Sequence, residues 1–302
     1  NQWLVFQGLR FQDTRGRVIL GNHLKFFRDE FKGGCASGNC VNTQIGTNDV
    51  NTTADILLED SWVHGTGGRY NVLIYNSNRV ILRRVVVRHD GGWTDSKGDP
   101  EAAVTFYNSS NSFAENVIIL DSNLSYHTWQ SAFYSVYNTA SPQSTNNDSW
   151  LGVLSLNNLS GTDGAGLRFD GNGSQTGHQI QDAVLWDANW GMNVGYNTSV
   201  GLTATRLTIG RNSGSCTGIA GQSSGTKSIS NARLFNATVS DVSVSNAVQG
   251  KPTYLPIQLG GVGANIVNRI GTSGTLYGDA GYNTDTGQVL WPFPNHPLTS
   301  GR

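Results

Sequence analysis

Charge is scarce in this chain. Asp, Glu, Lys and Arg make up 14% of its 302 residues, against roughly a quarter in an average soluble domain. The 20 basic and 21 acidic residues leave a formal net charge of −1, so there is no electrostatic footprint for nucleic acid or an anionic membrane surface. Methionine occurs once, as Met192, and helix-favouring runs of Ala, Leu, Glu and Lys are missing. No stretch reaches the ~18 consecutive apolar residues of a membrane span. No signal-peptide pattern opens the chain, which starts on the strand-like WLVFQGLRF. It is expected to be a mature form or an internal piece of something longer.

Proline is limited to 7 residues and cysteine to 3. Cys35 and Cys40 bracket ASGN and form either a disulfide that closes a small surface loop or two free thiols. With no matching Cys/His pair nearby, the spacing is a poor metal signature. Cys216 is either a small, half-buried residue or one half of an intermolecular bridge. The absent CxxCH excludes covalent haem. Low charge with a surface disulfide points to a secreted, extracellular or cell-surface setting. Eight Asn-x-Ser/Thr sequons (Asn51, Asn108, Asn123, Asn147, Asn158, Asn172, Asn197, Asn236) carry little weight in so Asn-rich a chain.

What is abundant is turn chemistry and repetition. There are 38 Gly, many Asn, Ser and Thr, and enough aromatic and β-branched residues to exclude disorder. One phrase recurs: polar, apolar, any, apolar, any, polar. It starts at Asp60, Arg84, Asn116 and Asp182, with weaker copies at Arg206 and Asp241. The starts are 24, 32, 66, 24 and 35 residues apart, and the longest gap leaves room for one more copy around Trp150 to Leu156. An aromatic-Asn-small turn accompanies it at Tyr75-Asn76, Tyr107-Asn108, Tyr137-Asn138 and Tyr196-Asn197, with Phe169-Asp170-Gly171 as a variant. Period-2 alternation argues strand, and a period of about 20–35 residues with several strands per repeat argues a solenoid. Val85, Val87, Val117, Ile119, Ala183 and Leu185 are then expected to stack as continuous inward columns.

The segments NQWLVFQGLRF, NHLKFFRDEF, ADILLEDSWVHG and NRVILRRVVVRHD resemble the coil grammar of right-handed parallel β-helix proteins of the pectate-lyase-like superfamily, from about Trp3 to about Ile270. The resemblance implies an all-β solenoid of about nine coils. It leaves function open, because that superfamily holds polysaccharide lyases, glycoside hydrolases, epimerases, tailspikes, adhesins and non-catalytic surface proteins. The cap helix usual in these folds is not evident before the first coil, so that end is expected to be covered by further chain or a partner. Residues 1–280 form the expected β-helix domain. Residues 281–302, with three of the seven prolines plus Trp291 and Phe293, form an expected extended strap that packs back on the solenoid, links to a further domain or docks a neighbour.

The densest ionisable stretch is RHDGGWTDSKGDPE, Arg88 to Glu101. A uronate lyase must neutralise a carboxylate, abstract a proton and protonate the leaving oxygen. Arg88, His89 and Lys97 are the catalytic candidates, and Trp93 and Glu101 the substrate-binding ones. Asp90, Asp95 and Asp99 supply the oxygens that a Ca²⁺ ion would want. The competing explanation is a solvated charged loop, and the recurring Asn76, Asn108, Asn138 and Asn197 suit turns. The specific lyase and hydrolase motifs are not recognisable. Two functions stand side by side: an extracellular protein that binds or processes a polysaccharide or cell-surface glycan, lyase-like if catalytic; or a non-catalytic structural or adhesive surface protein, assembling through coil ends or the strap.

Overall fold

The computed structural model describes residues 3–250, apart from 13–15, 19–20, 35–40, 48–52, 67–68, 89–100, 121–129, 142, 157–163, 187 and 212–214. Cys35, Cys40 and the 281–302 strap therefore lie outside the described residues. Among the described residues every regular element is a strand, and every strand pairing is parallel. One 18-stranded and one nine-stranded sheet wind around a common core as a right-handed parallel β-helix. Each of the nine strands of the smaller sheet marks one coil. The fourth coil shows the plan: Ser77–Arg83 and Val86–Arg88 lie in the larger sheet, and Glu101–Tyr107 lies in the smaller.

The turn between the two strand rows of the larger sheet is a single residue with positive φ. Gly8, Arg28, Asp60, Arg84, Asn116, Gly152, Asp182, Arg206, Asn231 and Asn246 occupy it in successive coils, with φ from 51° to 70°. One left-handed residue between extended neighbours swings the chain around a corner without breaking the ladders. This column is the polar start of the repeated phrase. Gly152 supplies the copy expected in the long gap. Asp241 does not belong to it: Ser230 pairs with Ser245 and Arg233 with Val248, which puts Asn231 and Asn246 in the corner instead. Arginine at such a corner is strained, and cross-coil pairing offsets the strain. Arg79 grips Asp55 in the neighbouring corner column through Nε (2.6 Å) and Nη2 (2.8 Å). Arg206 grips Asp182 in the same way (2.6 and 2.9 Å), and Arg84 reaches both Asp60 (2.6 Å) and Glu59 (2.5 Å).

The expected inward columns are all present: Val85, Val87, Val117, Ile119, Ala183 and Leu185 are fully buried in one continuous core. Trp150 sits at its centre, with ring centroids 5.2 Å from Phe106 and 5.3 Å from Phe169. Where the chain enters the nine-stranded sheet, space narrows and the inward residue shrinks to Ala103, Ala132, Gly166, Gly191 and Gly218 in register. A Cβ on Gly191 would meet the Gly218 carbonyl oxygen at 2.5 Å.

A polar island interrupts the core. The column Leu24, Ile56, Val80 continues as Ser112, Asp148 and His178 before returning to Leu202. Asp148 Oδ1 accepts the Ser112 N–H (2.9 Å), Oδ2 accepts the Ser109 hydroxyl (3.3 Å), and the Asp148 N–H donates to His178 Nδ1 (3.2 Å). Burial pushes the Asp148 carboxyl well above its usual range, and lowers the His178 imidazole to about 4. The accepting Nδ1 fixes the tautomer that carries its proton on Nε2.

Candidate functional site

The outer face of the nine-stranded sheet gathers buried polar chemistry. Alternation aims Leu73, Thr105, Tyr134, Arg168 and Asn193 outward, in register on five consecutive strands. Beside that row run Tyr75, Tyr107, Val136 and Asp170. Tyr134, Arg168, Asp170 and Asn193 are all buried although they point away from the core. Tyr70, Leu73, Tyr134 and Val136, with Tyr75 and Tyr107 against them, form a hydrophobic cluster separate from the interior. Thr105 Oγ1, Ser131 Oγ and Asn193 Oδ1 are buried on this face without a hydrogen-bond partner among the described residues.

A recess of about 260 Å³ opens on this face, walled by Tyr70, Tyr107, Tyr134, Tyr137, Asp170 and Asn172, with Arg69 and Asn138 at its edge. Its carboxylate is held from both sides. The Tyr134 hydroxyl donates to Asp170 Oδ2 (2.7 Å), and the Gly171 N–H donates to Oδ1 (2.6 Å). Burial raises the Asp170 pKa above the ordinary carboxylate value, and the Tyr134, Gly171 and Arg168 contacts only partly oppose it. Burial, then the neighbouring Asp170 charge, pushes the Tyr134 phenol well above its usual range. Tyr134 is therefore a hydrogen-bond donor here and not a base.

The other tyrosines are positioned just as definitely. Tyr75 and Tyr107 meet edge to face at 5.0 Å, and the Arg69 guanidinium lies 5.1 Å over the Tyr70 ring. Asn138 donates from Nδ2 to the Tyr107 hydroxyl (3.2 Å), while Asn108 Oδ1 accepts the Asn138 N–H (2.7 Å). The wall is braced from inside the solenoid. Gln175 donates to the Asp170 carbonyl (2.7 Å) and accepts from Ser135 (2.9 Å), and Thr145 donates to the Val136 carbonyl (2.7 Å). The Asn residues flagged as turn formers thus do two jobs. Asn76, Asn108 and Asn197 take positive φ, and Asn108 also anchors the recess rim.

Of the residues flagged in Arg88–Glu101, only the first and last are described. His89, Asp90, Trp93, Asp95, Lys97 and Asp99 lie outside the described residues. Arg88 ends strand Val86–Arg88, half-buried, and its carbonyl accepts from Asn71 Nδ2 (2.6 Å). Glu101 opens strand Glu101–Tyr107, fully buried, with Oε2 accepting from Gln130 (3.1 Å). Among the described residues no three His, Cys, Asp or Glu converge as a metal cluster. Cys216 is buried and forms no disulfide among the described residues. No described helix is long and apolar enough to cross a membrane.

Glu101 and Asp170 do not form an acid–base pair. Asp170 is in register with Val136 and Tyr107, so Glu101 lies six residues down the strand direction, about 20 Å away at strand rise. Paired glycosidase carboxylates sit roughly 5–10 Å apart. Arg168 and Asp170 were not among the residues expected from sequence, although LRFDG carries the signal: two charged residues alternate with Leu167 and Phe169, so both must point outward.

No protein-family model matches this chain, and no curated protein matches it. Among solved structures it is similar to PfbA, a surface adhesin of Streptococcus pneumoniae, at 13% identity and a TM-score of 0.34, over 82% of each chain. A likeness at that level carries no argument about function.

Proposed function

We propose that this chain is an extracellular binding protein whose ligand is a polysaccharide or cell-surface glycan, seated in the tyrosine recess of the nine-stranded sheet. One observation carries this: four tyrosines surround a carboxylate that is already oriented by Tyr134 and Gly171. Tyrosine offers an apolar face and a polar edge with little rotamer entropy to lose, which matches the alternating CH and OH surfaces of a sugar ring. Asp170 keeps acceptor capacity beyond its two bonds, and Asn138 and Asn172 add amide groups at the rim. Rigid walls lower the ordering cost of binding.

The test is a glycan-array screen of the folded chain, followed by titration of each hit against Tyr107→Ala and Asp170→Asn. Loss of about tenfold or more in affinity is expected for each, the range for truncating a contact worth about 1–3 kcal/mol. Absence of any hit on the array, or hits indifferent to both substitutions, would overturn the proposal.

A further inference from the structure

The sequence contains a single Asn-Gly dipeptide, Asn172–Gly173, and the fold places it in the recess wall. It occupies the exposed bend between strands Ala165–Gly171 and Ser174–Gln181. Attack of a backbone nitrogen on the preceding side-chain amide needs a polarised carbonyl, an unengaged N–H, no Cβ in the way, and water. Each is met here. Asn172 Oδ1 accepts the Thr139 N–H at 2.8 Å, a fixed donor placed where negative charge develops on that oxygen. The Gly173 N–H makes no hydrogen bond among the described residues, while its carbonyl accepts from Thr198 Oγ1. The preceding Asp170–Gly171 pair differs, because the Gly171 N–H is committed to Asp170 Oδ1. A Cβ at residue 173 would lie 2.3 Å from the Tyr137 ring, so a larger residue there would have to displace that ring. The packing around the recess thus favours the reactive dipeptide.

We propose that Asn172 is a site of spontaneous deamidation, which turns one wall of the recess from neutral to anionic. The Gly173 nitrogen bonds to Asn172 Cγ and gives its proton to solvent, and the side-chain nitrogen leaves as ammonia. Water then opens the cyclic imide at either carbonyl and yields aspartate or isoaspartate. No redox partner is involved, and water is the only co-reactant. The new carboxylate stands two residues from Asp170. The isoaspartate product also adds a methylene to the main chain at the bend, where the Asn172 N–H donates to the Tyr137 carbonyl (3.0 Å). The inference does not depend on what the recess binds.

Peptide mapping by mass spectrometry, with isoaspartate-specific methylation, tests it on the full folded chain held at mildly alkaline pH. Conversion is expected at Asn172 ahead of every other asparagine, and Asn172→Gln should remove that signal alone. Two results would overturn the inference: Asn172 stays intact in the folded chain but converts after denaturation, or other asparagines convert first.

Discussion

Acidification should unlock the middle coils through His178. Its imidazole accepts the Asp148 N–H on Nδ1 and packs 5.7 Å from the Trp150 ring and 5.3 Å from the Phe169 ring. Burial lowers its pKa from 6.5 to about 4. Above pH 6.5 the ring is neutral in folded and unfolded chains alike, and its contribution to stability is complete. As pH falls below 6.5 the unfolded chain takes up the proton and the folded chain does not. Stability then drains away until about pH 4, where the folded ring protonates too. Each pH unit is worth 1.36 kcal/mol, so the loss over that window is about 3 kcal/mol. Asp148 acts in the opposite direction, because its raised pKa makes the folded chain the better proton acceptor. His178→Asn keeps an oxygen near Nδ1 to accept from Asp148 and removes the titration. Urea unfolding from pH 7.5 to 4, followed by tryptophan fluorescence, should show the wild type losing about 3 kcal/mol more than the variant. Parallel pH profiles for the two proteins would refute the argument.

Asp148→Asn should stabilise the chain at neutral pH and lose that advantage in acid, since the amide imitates the protonated carboxyl; denaturation midpoints at pH 7.5 and 4 check the sign. Arg84→Met should cost about 2–3 kcal/mol, because it strips a partner from Glu59 and Asp60, both mostly buried. Arg79→Met, at an exposed pair with Asp55, should cost under about 1 kcal/mol; equal losses in unfolding titrations would contradict the burial argument. Gly191→Ala should destabilise by about 1–3 kcal/mol through crowding of Gly218 and Ile209, readable as a lowered Tm.

Much of the fold was legible because stacking makes each coil repeat its neighbour's demands. Val85 and Val117 stand in equivalent inward slots, and the corner residues Asp60, Arg84 and Asn116 share one backbone conformation. Even Ser61, out of place in an apolar slot, fits: its hydroxyl accepts the Asp29 N–H (3.2 Å) and donates to the Glu59 carbonyl (2.8 Å). The Asp241 register was misread because the last described coils shorten, and a chance alternation there imitates the phrase. The recess was harder to see. Tyr107 and Asn138 were visible as turn residues, but whether a strand residue faces the core or the outer surface depends on partners several coils away. Tyr134 and Asp170 meet only across a separation of 36 residues. The charged run from Arg88 drew attention through composition, whereas Asp170 gains its character from burial, which composition does not reveal.

Calorimetric titration of one array-positive oligosaccharide against wild type, Asp170→Asn and Arg88→Ala tests most directly whether the outer face of the nine-stranded sheet is the working surface. The geometry predicts at least about tenfold weaker binding for Asp170→Asn and unchanged binding for Arg88→Ala. Unchanged binding for Asp170→Asn with loss for Arg88→Ala would move the site to the charged loop and contradict it.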